Sequence, residues 1–114
     1  MRLGQIGWMC GIAAVALPGC GPTVHPTFDS PEPAARNAAI VRATAAEDRS
    51  AVPDLVRMLS SDDPATRLLA ITGLERLTGQ TMGYDYGGTE LERAEAIGRW
   101  EAWLASHHEG GGVR

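Results

Sequence analysis

PAARNAAIVRA, Pro33–Ala43, returns 31 residues later as PATRLLAITGL, Pro64–Leu74. Pro33 matches Pro64, Arg36 matches Arg67, Ala39 matches Ala70 and Ile40 matches Ile71. Self-similarity at a period of about 20–50 residues marks a chain built from stacked supersecondary units. A third, partial copy keeps the same internal spacing at an offset of 26: Arg93, Ala96, Ile97 and Trp100 against Arg67, Ala70, Ile71 and Leu74. The shorter offset places an altered segment between the second and third copies.

Each copy reads as a helix. Pro64 suits the first helical position, where a missing amide is harmless, and Asp63 before it is an N-cap residue. Ala70, Ile71, Leu74 and Leu77 or Thr78 then share one face at helical spacing. Between the first two copies, Val52, Leu55, Val56 and Leu59 trace a second apolar stripe, with Pro53 in its first turn. Thr89 and Glu92 form a capping box that opens a last helix. The expectation is an all-α domain of four helices at about 33–46, 51–60, 64–78 and 89–106.

The stretch VPDLVRMLSSDDPATRLLAITGL, Val52–Leu74, resembles the HEAT-repeat family in its short form. Pro53, Leu55, Leu59, Asp62, Arg67, Ala70 and Leu74 carry the likeness, which covers about 33–78 and then only the second-helix pattern of 89–104. The resemblance implies helix pairs stacked into a short α-solenoid. Ala39 and Ala70 would let neighbouring helices approach closely. Glu32 and Asp63 precede Arg36 and Arg67 by four residues, the favourable order for a helical ion pair. The repeat arginines Arg36, Arg67 and Arg93 are therefore read as structural. Two units and a fragment need closed ends, and Trp100, Trp103 and Leu104 supply apolar surface for a C-terminal cap.

The N-terminal part reads differently. Arg2 followed by the apolar stretch Ile6–Leu17 is the charge-then-apolar order of a secretory signal, too short and glycine-rich to span a bilayer. It ends in Leu17-Pro18-Gly19-Cys20, which resembles the lipobox of bacterial lipoprotein signals, with Leu17 and Gly19 as recognition positions; Pro18 departs from the usual residue there. The resemblance implies lipid attachment to Cys20, cleavage before it, and a protein held to a membrane of the bacterial cell envelope by that lipid. Cys10, after the bulky Met9 and inside the apolar run, is the poorer candidate. Residues 1–19 would then be the signal, 20–32 a proline-rich spacer, 33–106 the folded domain and 107–114 a flexible tail. An extended spacer of this length would lift the domain about 30–40 Å, with His25 and Phe28 as linker residues.

Composition narrows the function. The chain has 14 acidic side chains against 10 basic ones, all arginine, for a formal net charge of −4. That balance argues against nucleic acid and against electrostatic adhesion to anionic lipid. Once Cys20 carries lipid no cysteine remains for a disulfide, a metal site or a thiol nucleophile. No cofactor, metal or catalytic set is expected. Asp85 lacks acidic neighbours at calcium-loop spacing, and His107 and His108 read as a frayed terminus.

The distinctive loop is Thr78–Gly88, which unites both tyrosines with an acid. Tyr84, Asp85 and Tyr86 could form a partner surface, since tyrosine joins rigid apolar area to a polar tip. The preferred reading is a cap, with Gly79 ending the helix and the tyrosines packed on the stack. The functional expectation is a membrane-anchored interaction or scaffold module with a protein partner. The alternatives are a structural envelope component, or a cofactor-handling protein resembling the bilin lyases that also carry short HEAT units.

Overall fold

The computed structural model describes residues 24–111, with side chains as far as His107; Leu17, Gly19 and Cys20 lie outside the described residues. Among the described residues there are four α-helices and no strand: α1 Pro33–Ala45, α2 Val52–Met58, α3 Pro64–Thr78 and α4 Glu90–Gly111. A 3-10 turn, Arg49–Ala51, leads into α2. Prolines stand in the first turn of α1, α2 and α3, as the sequence requires. The Asp63 carboxylate accepts from the Ala65 and Thr66 amides, closing the N-terminus of α3. Gly79, at φ 75°, closes the other end in the left-handed conformation, its amide donating to the Glu75 carbonyl at 2.7 Å.

Helix α3 lies at the centre, packed on α1 and on α2, while α4 makes its main backbone contact with α2. The core joins all four helices through Ile40, Leu55, Leu59, Leu74 and Trp100, each at most 1% exposed. Burying each such side chain is worth about 1.5–3 kcal/mol against leaving it in water. Ala39 and Ala70 are buried as expected. The tightest approach is at Gly73, where a Cβ would sit 2.6 Å from Thr44 Oγ1 and 3.3 Å from Leu55 Cδ1. One missing methyl thus lets α3 fit between its two neighbours.

A polar bridge crosses the α1–α3 seam. The fully buried Thr66 hydroxyl lies 2.7 Å from the Asn37 side-chain amide and 2.8 Å from Asp63 Oδ2. Its one proton serves two acceptors, Asn37 Oδ1 and the Asp63 carboxylate.

Two boundaries differ from the sequence reading. The proline-rich segment is docked rather than extended from Thr27 onward: the Thr27 amide donates to the Ala35 carbonyl, Phe28 packs against the core, and Asp29 pairs with Arg57 at 3.2 Å. Phe28 is therefore a packing residue. At the other end α4 continues through Gly111 instead of stopping near Ser106. His107 helps carry it on, stacking on Trp103 at 3.8 Å between centroids, with Nδ1 2.8 Å from the Trp103 carbonyl.

Candidate functional site

The repeat arginines share one task. Arg36 donates through Nη1 to the Ser30 and Pro31 carbonyls, both at 2.9 Å. Arg67 donates through Nη1 to the Ser61 and Asp62 carbonyls at 2.9 and 3.1 Å, and Arg93 to the Gly88 carbonyl. In each copy the guanidinium reaches back past its own helix N-terminus and clamps the segment that leads into it. This replaces the expected ion pairs: among the described residues only Arg57 forms them, with Asp29 and Asp54. Carbonyls just outside a helix N-terminus have no intrahelical donor, and a charged donor satisfies two at once.

The loop after α3 is a cap at Tyr84 and open at Tyr86. Tyr84 is buried, and its hydroxyl donates to the Leu59 carbonyl at 2.6 Å. Burial pushes the Tyr84 phenol above its ordinary pKa, so it stays a donor. Asp85 is spent within the loop, its Oδ1 accepting from the Gly87 amide at 2.9 Å. Tyr86 is 41% exposed, and its carbonyl accepts from Arg67 Nε at 3.2 Å. Trp100 Nε1 donates to the Thr81 carbonyl at 3.0 Å and Arg99 Nε to the Met82 carbonyl at 2.8 Å. Thr89 and Glu92 form the expected capping box, each side chain accepting from the other's amide.

The three sequence-selected residues do not converge on a pocket. An open groove of about 650 Å³ lies elsewhere, between the start of α2, the end of α3 and the last turns of α4. Val52, Pro53, Leu77, Trp103 and Leu104 give it apolar walls, and Arg49, Arg76 and His107 edge it. Trp100, fully buried, holds Trp103 edge-on at 5.6 Å and 74°, so the groove wall rests on the core. Among the described residues neither Arg49 nor Arg76 is in an ion pair. Among the described residues no carboxylate lines the groove, in a chain where acids outnumber bases.

Sequence reading missed this groove. The four-residue spacing of Trp103 and His107 is the local signal for it, since it puts both rings on one helix face. Arg49 and Arg76 carry no local sign of a shared site, because they lie on different elements.

Among the described residues no group of three or more His, Cys, Asp or Glu could hold a metal ion, and no helix is long and apolar enough to cross a membrane. No family model matches the chain, and searches of curated proteins and of solved structures find no match.

Proposed function

We propose that this protein is a lipid-anchored interaction module of the HEAT-repeat kind, presenting its groove to a protein partner in the bacterial cell envelope. The observation that carries the reading is the groove itself: apolar walls and, among the described residues, two arginines with no ion-pair partner and no acid in the lining. Apolar surface left uncovered is what an association site offers, and charge at its rim selects among partners. The three-fold arginine clamp supports the repeat assignment, since it places the same side chain in the same role in each copy. The anchor rests on Leu17, Gly19 and Cys20.

Docking of Thr27 shortens the tether in this proposal. Seven residue steps separate Cys20 from Thr27, or about 22 Å at 3.1 Å per extended residue. The domain is then held close to the bilayer rather than 30–40 Å away, and its partner must be reachable at that height.

Two measurements test the reading. Mass spectrometry of the mature N-terminus should find a lipid-sized addition on Cys20, lost in Cys20→Ser together with membrane retention. An unmodified Cys20 inside a peptide spanning Pro18–Pro22 would overturn the anchor. A photo-crosslinking residue at Gln80 in intact cells should give a discrete protein adduct that Arg76→Glu removes. No adduct above that from the same residue placed at Glu95 overturns the module.

A further inference from the structure

Arg76 borders two depressions at once. Beyond the groove it also lines a shallow dip of about 170 Å³ formed with Ile40, Val41, Thr44, Ala45 and Leu69 on the α1–α3 seam. Val41 there is 52% exposed, one of the larger uncovered apolar side chains of the described chain. A guanidinium in no ion pair among the described residues thus stands between two apolar hollows, with Arg49 across the larger one.

We propose that this double hollow binds an extended segment of a partner protein carrying one carboxylate side chain flanked on both sides by apolar side chains. The carboxylate lies against Arg76, which is the only charged residue common to both hollows. One apolar side chain enters the groove against Trp103 and Leu104; the other covers Val41 and Leu69. Charge complementarity selects the acid, because the described lining holds arginine and histidine but no carboxylate. The two hollows select its neighbours, because a carboxylate alone leaves both apolar surfaces wet. Beside apolar walls a guanidinium–carboxylate contact is stronger than on an open surface, and the arginine fork favours a planar acid.

This rests on the module reading above and refines its partner. The probes are four decapeptides, three acetylated and amidated: one with a single Glu between two Leu, one with Gln for Glu, and one with Ser for both Leu. The fourth is the Gln peptide with a free C-terminus. Binding is read from the Trp103 indole and the Gly79 and Gln80 amide resonances of the domain. The Leu–Glu–Leu peptide should shift all three, with the Gln and the Ser peptides each weaker by about tenfold, the equivalent of one charged contact or one buried side chain. Arg76→Glu, at an exposed position, should abolish the preference for Glu over Gln while leaving the amide spectrum folded.

Equal binding of the Glu and Gln peptides overturns the proposal, as does binding that needs only the free C-terminus. Silence at peptide concentrations on the order of 1 mM, where even weak recognition registers, overturns it too. An adduct at Gln80 in cells alongside such silence would leave the module standing and discard only this partner chemistry.

Discussion

At one end of the stack, Thr27–Glu32 lies against α1 and α2; at the other, Gln80–Thr89 lies against α2, α3 and α4. Each covers helices without being helical, and each packs one aromatic ring, Phe28 or Tyr84, on the core. Their anchoring differs. The first segment holds on through a half-buried Phe28, an exposed pair between Asp29 and Arg57, and the Arg36 clamp. The second is held by a buried Tyr84, a fully buried Trp100, and side-chain donors from Arg67, Arg93 and Arg99 to its backbone. Even the clamps are unequal: Arg67 Nε finds the Tyr86 carbonyl, whereas Arg36 Nε is buried without a partner. A segment tied through buried donors and backbone carbonyls is costly to release. One tied through exposed charges is not.

The largest expected effect is at the second segment. Trp100→Ala removes a fully buried ring and the indole donor to Thr81, and we expect a loss of about 3–5 kcal/mol in urea unfolding. A loss below that of Phe28→Ala would reverse the ranking of the two ends. Next comes Tyr84→Phe, which orphans the Leu59 carbonyl while keeping the ring. It should cost about 1–3 kcal/mol, against no measurable change for Tyr86→Phe.

Phe28→Ala should cost about 1 kcal/mol, because the ring is only half-buried. It should also speed proteolysis before Pro33 without melting the helices; global unfolding at lower denaturant would show that the strap belongs to the core. Arg57→Ala, losing two exposed pairs, should cost less than about 1 kcal/mol and vanish at high salt.

The smallest effect is acidic. Hydrogen bonds from Thr89 hold the Glu92 carboxyl below its ordinary pKa, and the Thr66 hydroxyl does so first for Asp63. A carboxylate with a lower pKa folded than unfolded adds stability above its unfolded pKa and loses it as pH falls through the folded one. Acid should therefore loosen the starts of α3 and α4 before that of α1, whose N-cap Glu32 makes no side-chain bond. The Thr89 amide shift should titrate with a midpoint below the ordinary glutamate value. A midpoint above it would remove the capping box from the account of the loop end.

Helix placement was legible because it depends on local chemistry. Pro64 after Asp63, the apolar stripe from Val52 to Leu59, and Thr89 with Glu92 each specify a helix start or face within one or two turns. Helix α4 runs past its expected end, where His107 stacks on Trp103 four residues back, a contact that only the helical turn creates. The docking of Phe28 was illegible, since the prolines around it describe only a non-helical backbone and not where that backbone rests.

The arginines divide what sequence and structure each decide. Their recurrence at Arg36, Arg67 and Arg93 is a property of the sequence alone, and it leads to the expectation of a repeated helical unit with a structural role for the side chain. Acids four residues earlier made an ion pair the natural local partner. Only the tertiary structure turned those guanidinium groups back to the carbonyls of the preceding segment. Carbonyls outside a helix lack donors wherever the chain bends, and no side-chain letter marks them. For the same reason the groove between Arg49, Arg76 and Trp103 exists only in the folded molecule: its walls are far apart in the chain and are brought together by packing around α3.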